Sequence, residues 1–346
     1  MKLPVLLLFT LFNLVSFAQN NSLIWVKGVD SCMIEVSDSN QMCHSSSILQ
    51  LDENNFLIVW FEGLYEGAAG VKIMYSRLIA SNGKLVKTKP DVLAFNDSFA
   101  CWNPVLQRIN KNEIVLFYKI GKNPREWTGF YKKSLDNGLT WGNENSLPTS
   151  FIGPVKNKGL MISDTLLICP SSTESMDNKW NIHLEYYHVL KNDWRKISLP
   201  NDTFGLIQPS ILQYGMDTLQ LLCRSRQNKI IQLWSYDKGK NWTIPAMTNL
   251  PNPNSGIDAV DWKDGIKLLV YNPMIAGKEW WEGRAELRLA MSKNGSDWVD
   301  IMILEKHDKG EYSYPSIICT SSNEILISYT YNRKGIMFKK LKIDKT

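Results

Sequence analysis

Ser134–Trp141 reads SLDNGLTW and Ser235–Trp242 reads SYDKGKNW, while Ser292–Trp298, SKNGSDW, is the same turn one residue shorter and without its Asp. Trp194, in KNDW, falls between the first two, so the four tryptophans lie 53, 48 and 56 residues apart. A recurrence at about fifty residues means a radial array of small sheets rather than one large core. In such an array a ligand sits on the central axis, and the repeat says where to look for chemistry.

A finer pattern underlies the spacing. Six times an apolar or alternating run is followed by a short polar turn and a second run. The pairs are Ser46–Leu51 with Phe56–Phe61, Pro104–Arg108 with Ile114–Tyr118, Lys158–Ile162 with Thr165–Cys169, Pro209–Gln213 with Leu219–Cys223, Ile257–Trp262 with Ile266–Tyr271, and Tyr314–Cys319 with Ile325–Tyr329. The turns between them carry the Gly, Asn, Asp and Ser that hairpins require. A third strand follows each pair (VKIMYSR, GFYKKS, NIHLEYYHV, KIIQLWSY, AELRLAMS, GIMFKKLK), and no long helical period occurs. The expected fold is all-β, a six-bladed β-propeller. It must close on itself to remove its edges, and Leu23–Val29 is expected to pair with the last blade near Ile336–Ile343.

Composition sets the remaining bounds. Lys2, the apolar run Leu3–Phe17 and the small-x-small site Ser16-Phe17-Ala18 predict a signal peptide over residues 1–18, cleaved at Ala18/Gln19. The protein is then secreted or periplasmic, with residues 19–346 as one propeller domain. No later run reaches the length of a membrane span. A net charge of +5 is ordinary solvation and argues against nucleic acid as a partner. Of six cysteines, Cys169, Cys223 and Cys319 sit inside apolar runs as buried thiols do, and Cys32 and Cys43 are the expected pair if one forms. The four histidines do not cluster and no Cys-x-x-Cys occurs, so neither a metal site nor an organic cofactor is expected.

In a propeller the first strand of each blade lines the channel, and its entrance shares one end with the exit of the second strand. Those positions hold His44, Glu62 and Glu66 in blade one, Trp102, Asn103, Lys119 and Arg125 in blade two, and Lys156, Lys158 and Glu174 in blade three. Blade four supplies Gln208, Arg224 and Arg226, blade five Asn254, Asp258, Arg284 and Arg288, and blade six Tyr312 and Tyr314. Taken singly, such residues also solvate loop tips; their recurrence at matching positions of six repeats points to a site. Guanidinium offers a planar fork that binds carboxylate bidentately, and Glu and amide groups suit hydroxyls, so a glycan with a carboxylate-bearing sugar is the expected substrate. The turn residues Trp141, Trp242 and Trp298 belong to the outer rim. Trp102, Trp127, Trp280 and Trp281 fall in loops leading to the axis, where an aromatic ring either packs between blades or stacks on a sugar.

The Ser-x-Asp-x-Gly-x-x-Trp turns resemble the Asp-box repeats of sialidases, and the six-blade count agrees with that superfamily across the chain after residue 18. The resemblance implies an arginine triad on the sugar carboxylate, a Tyr nucleophile polarised by Glu, and an Asp acid/base on a loop, a scheme apart from the usual pair of carboxylates. Tyr312-Ser313 matches the family's Tyr-Ser motif, Arg224 after LLC resembles the second triad Arg, and Arg284 or Arg288 stands for the third. Three positions depart. His44 stands in place of the first triad Arg, Gln208 where the assisting Glu would be, and Gly70 where the Asp would fall, with Glu62 and Glu66 nearby to take its role. Gln cannot accept the Tyr proton as a carboxylate does, whereas His44 titrates near working pH.

His44, Glu62, Glu66 and Tyr312 are therefore the catalytic candidates, and three functions fit. In a glycosidase releasing a terminal sialic or uronic acid, Glu62 or Glu66 protonates the leaving oxygen while Tyr312 or a water activated by His44 attacks. In a uronate lyase, His44 or Tyr312 abstracts the C5 proton while Arg and Lys neutralise the carboxylate. A glycan-binding propeller without chemistry is the third.

Overall fold

The structure, a computed structural model, describes residues 13–16, 23–81, 84–200 and 203–345. Apart from one 3-10 turn at Lys263–Gly265, the regular elements among the described residues are strands, in six antiparallel sheets. Blade one holds Met42–Gln50, Asn55–Gly63, Lys72–Ser81 and Lys84–Lys87, with Asp91–Ala94 also on the third strand; blade two holds Ala100–Arg108, Ile114–Gly121, Thr128–Ser134 and Asn145–Ser146. Blade three runs through Leu160–Ser163, Leu166–Glu174, Trp180–His188 and Asp193–Ser198, and blade four through Leu206–Tyr214, Thr218–Ser225, Lys229–Ser235 and Ala246–Pro251. Blade five is Asp258–Asp261, Lys267–Tyr271, Glu286–Ser292 and Val299–Lys306. Blade six is Tyr312–Cys319, Glu324–Tyr331 and Gly335–Lys345, completed by Leu23–Glu35.

That last pairing closes the ring as the sequence leads one to expect. Val26 lies opposite Ile343 and Ile34 opposite Ile336, so the closing strand runs six residues beyond Val29. Of the expected leader, Asn13–Ser16 is a short strand on Leu23–Val26. The rest of residues 1–18, with the Ala18/Gln19 boundary, lies outside the described residues. No helix among the described residues is long and apolar enough to cross a membrane. The six cysteines are all free thiols. Cys32 rides on the outermost strand of blade six and Cys43 on the innermost of blade one, so the expected pair does not form.

The repeated turns show why their residue types recur. Ser134 is buried and its Oγ accepts the Gly138 N–H at 2.7 Å while donating to Asp136, whose carboxylate takes the Thr140 N–H. Ser235, Asp237, Gly239 and Asn241 repeat these bonds. Hydrogen bonds, from Thr140 in one case and Asn241 in the other, hold both Asp carboxyls down at about 2. In the shortened turn Asn294 takes the place of Asp, and the Trp298 indole donates to Gly295 O as Trp242 does to Gly239 O.

At the hub each inner strand is a sheet edge with N–H groups that need acceptors away from water. Six side chains supply them in a closed relay, each blade donating to the one before. Leu106 N–H bonds Ser47 Oγ at 3.0 Å, Gly159 N–H bonds Gln107 Oε1 at 2.9 Å, and Gln208 N–H bonds Ser172 Oγ at 3.1 Å. Ala259 N–H bonds Ser210 Oγ at 2.9 Å, Ile317 N–H bonds Asp258 Oδ2 at 2.9 Å, and Ile48 N–H bonds Ser316 Oγ at 3.3 Å. Lysines serve the carbonyls. Lys156 donates to Ile257 O and Pro315 O, Lys119 to Pro154 O, and Lys158 to Ala259 O and to the Asp258 carboxylate. The three lysines and Asp258 that the sequence suggested as sugar ligands are thus bonded into the hub.

Ser47→Ala would leave the buried Leu106 N–H without its side-chain acceptor, and unfolding in urea should show about 1–3 kcal/mol of lost stability. The lysines add a pH dependence. Burial holds Lys119 and Lys156 down to about 7 from an ordinary 10.5. Unfolding therefore takes up protons between those values, and the lysines' contribution is full above about 10.5 and lost as pH falls through about 7. The stability of the parent relative to Lys119→Met should rise from pH 7 to about pH 10. A difference that stays flat over that range contradicts the assignment.

Candidate functional site

One backbone device aims side chains at the axis. The register of the two inner strands shifts between His44 and Ser47, Trp102 and Val105, Ile207 and Ser210, and Ser313 and Ser316. At each shift one residue takes a positive φ: Ser45 at 55°, Asn103 at 37°, Gln208 at 52° and Tyr314 at 52°. Such bulges re-aim a side chain, and positive φ in residues other than glycine is strain held by surrounding structure. Asn103, Gln208 and Tyr314 all line a single cavity of about 210 Å³.

The same cavity is lined by Glu66, Trp102, Pro124, Trp127, Glu174, Trp180, Ile207 and Arg224. Arg224 is its organising cation and is only 6% exposed. Its Nε donates to Asn254 Oδ1 at 2.9 Å, and its Nη1 to Gln208 Oε1 at 3.1 Å and to the Tyr314 hydroxyl at 2.5 Å. The guanidinium is oriented by neutral partners, so its charge is not cancelled by a bonded carboxylate. Glu174 faces it across the cavity wall. Burial lifts the Glu174 carboxyl above its ordinary value, against the opposing pull of Arg224, a Trp180 hydrogen bond, Arg125 and Arg226.

Tyr314 also packs on His44, ring centroids 4.0 Å apart. His44 Nδ1 meets Thr330 Oγ1 at 2.8 Å, while Nε2 is buried with no hydrogen-bond partner among the described residues. Burial first, then the charges of Arg333, Arg284, Arg224 and Lys156, hold His44 well below its ordinary value, so it is neutral at working pH. Beside it Glu311 ties two of these arginines, Arg284 at 2.8 Å and Arg333 at 2.8 Å, and accepts from Ser313 Oγ. Arg333 reaches on to Glu66 at 2.5 Å. Burial works against the Glu311 charge, but the two arginines outweigh it and keep the carboxyl below its usual range.

Other expected site residues stand elsewhere. Glu62 is fully buried, bonded to Trp60 Nε1 and to the Ser37 backbone and hydroxyl. Tyr312 sits in the core between blades five and six, stacked on His307 and bonded by Asn332; the tyrosine that meets Arg224 is Tyr314. Arg288 is paired with Glu286 and Asp300 on the outer strands of blade five. Arg125 and Arg226 converge on Asn178 at the rim, where Arg226 also lies 4.1 Å from the Trp180 ring. The residues that sequence reasoning passed over are Trp180, Asn178 and Arg333. All three precede or open a third strand, the position that supplies Arg284 in blade five, so the strand-two to strand-three turns were the signal to follow.

Residues 54–327 match the family of BNR repeat-like domains. No curated protein sequence matches the chain significantly. Its structure is similar to that of a protein of unknown function from Dyadobacter fermentans, with a TM-score of 0.76 and 14% identity over 92% of this chain and 99% of that one. It is also similar to Trypanosoma rangeli sialidase in complex with sialic acid, with a TM-score of 0.69 and 14% identity over 90% of this chain and 58% of that one. NanB sialidase from Streptococcus pneumoniae gives 0.66 and 11%, over 90% and 70%. At such identities the likeness to solved structures is one of fold, and the chain spans little more than half of the Trypanosoma rangeli sialidase. With the family match running from the second strand of blade one into the second strand of blade six, the chain belongs to the BNR repeat-like domain family and carries the six-bladed propeller fold of the sialidases.

Proposed function

We propose that this protein is an exported, sialidase-like glycoside hydrolase that releases a terminal anionic sugar, sialic or uronic acid, from glycans. The observation that carries the reading is Arg224, a buried guanidinium oriented by Asn254, Gln208 and Tyr314 with no carboxylate on it. A sugar carboxylate supplies the missing counter-charge, and Arg284 lies 5.8 Å from the same Tyr314 ring. Glu174, its carboxyl raised by burial, gives its proton to the leaving oxygen as the glycosidic bond breaks. In the tautomer that donates Nδ1–H to Thr330, His44 carries a lone pair on Nε2. That nitrogen takes the proton of the attacking water, which bonds to the anomeric carbon, and Tyr314 stabilises the charge developing there.

A second reading, a uronate lyase, is favoured by one contact. The Tyr314 hydroxyl is held by Arg224 rather than by a carboxylate, which puts a phenol oxygen beside the guanidinium that would neutralise a uronate carboxylate, the placement proton abstraction at C5 needs. Products distinguish the two: the hydrolase yields free sugar without ultraviolet absorbance, and the lyase an unsaturated, absorbing sugar. The purified protein should be assayed on sialylated and uronate-bearing oligosaccharides with both readouts. A protein that binds these sugars but turns over none contradicts both enzymes.

Given turnover, Arg224→Ala should lower kcat/KM about 100-fold through lost carboxylate binding. Glu174→Gln should lower kcat about 100-fold or more. The parent's rate should fall as pH rises through the raised Glu174 value, because the acid is then lost, and the Gln variant should lack that limb. A parent profile without an alkaline decline removes Glu174 from the role.

A further inference from the structure

Two guanidinium groups lie over Trp180 in the wall of the axial cavity, and a third joins them through Asn178. Arg224 is 5.8 Å from the Trp180 ring centroid and Arg226 4.1 Å. Arg226 and Arg125 both donate to Asn178 Oδ1, at 3.0 and 3.3 Å, so turns of blades two, three and four converge on one amide oxygen. Both arginines are exposed, yet each is held in place. The Arg226 stem lies against Gly205, where a Cβ would meet its Cδ at 3.1 Å, and its guanidinium covers the indole. Asn178 is fixed in its turn, where its own N–H bonds Ser175 O and the Lys179 N–H bonds Ser175 Oγ.

The charges around this pair do not balance. Among the described residues neither Arg125 nor Arg226 forms an ion pair, whereas Arg284, Arg288 and Arg333 all do. Residues 122–126, 174–180 and 224–229, which make these turns, carry six cations and three carboxyl groups. Of the three, Asp177 is paired with Lys179 at 2.8 Å and Glu126 has no ion pair among the described residues. Glu174 is the third, and Arg224, Arg125 and Arg226 all pull on it. Glu66, which also lines the cavity, is taken by Arg333. Each rim arginine spends one donor on Asn178, which leaves the rest of its fork for a ligand. Two held forks that converge on one point, in a positive field, fit the oxygens of a carboxylate or a sulfate ester.

We propose that Arg125 and Arg226 form a second anion site, which takes an oxyanion carried by the sugar next to the acidic sugar held at Arg224. Trp180 joins the two sites, because Arg224 and Arg226 address the same ring and that ring lines the axial cavity. The inference rests on the axial reading above and narrows its substrate class. The glycan is acidic at two successive sugars, the second charge being a sulfate ester or another carboxylate.

Isothermal titration of the whole protein tests this with sulfur-linked probes, which resist cleavage. One pair is glucuronyl-N-acetylgalactosamine with and without a 6-sulfate, and the other is disialyllactose against sialyllactose. For at least one pair the doubly acidic probe should bind about tenfold more tightly than the singly acidic one, and the pair that responds tells sulfate from carboxylate. Raising salt from about 50 to about 500 mM should shrink that ratio. Arg125→Gln and Arg226→Gln should each bring it below about threefold, and Arg226→Lys should keep part of it. Because the ratio compares two probes on one protein, damage confined to the axial site leaves it unchanged. A parent ratio near one, or a ratio that survives either Gln substitution, overturns the second site and leaves the axial site standing. Failure to bind any of the four probes overturns the axial reading and this inference together.

Discussion

The relay of side chain to backbone bonds around the hub is the constraint on which the rest depends. A propeller blade is a twisted sheet whose innermost strand is an edge, and six edges meeting at one axis bring their N–H groups where water is scarce. Here Ser47, Gln107, Ser172, Ser210, Asp258 and Ser316 each accept from the next blade, so the set closes only when all six blades are present. The outer closure, Leu23–Glu35 on Gly335–Lys345, joins the first and last parts of the chain, and the relay joins each blade to its neighbour at the hub. Lys156, reaching from blade three to carbonyls of blades five and six, extends the same solution across the axis.

The relay and the site share their strands. In four blades the inner strand gains its extra residue just before the section that joins the relay, and in three of them the strained residue there, Asn103, Gln208 or Tyr314, lines the axial cavity. Gln208 shows both functions in one residue: its N–H belongs to the relay through Ser172, and its side chain orients Arg224. Strain of this kind persists only where neighbouring structure over-determines it, and the closed ring provides that over-determination.

Blade count, strand order and closure were legible in the sequence because turn chemistry and apolar runs repeat six times. Individual faces were not. Strands of ordinary half-buried sheets alternate apolar and polar residues, but blades pack on both sides, and Ile114–Gly121 is buried at every position. Glu62 and Lys119 therefore carried no mark of which side they take. The tyrosines illustrate the same limit. In a regular strand Tyr312 and Tyr314 would share a face, yet the shift between Ser313 and Ser316 separates them, leaving Tyr312 opposite Tyr331 in the core and Tyr314 at the axis. The sign of that shift was present as a residue before proline at the start of the inner strand, in Asn103-Pro104, Gln208-Pro209 and Tyr314-Pro315.

On the reading proposed for this site, the electrostatics of the hub would tie ligand binding to His44 as the base. His44 is kept neutral by burial and by four cations, among which Arg333 and Arg284 are partly offset by Glu311 and Arg224 is not paired with a carboxylate. An anion on Arg224 would weaken the field that disfavours the imidazolium, and so would raise the proton affinity of His44 at the moment a substrate is present. The same anion would oppose ionisation of Glu174, whose charge Arg224 favours, keeping its proton in place. An acid and a base would thus be drawn toward their working protonation states by the substrate's own charge, a coupling that needs no movement of the propeller and follows from a guanidinium held by amides and a phenol instead of by a carboxylate.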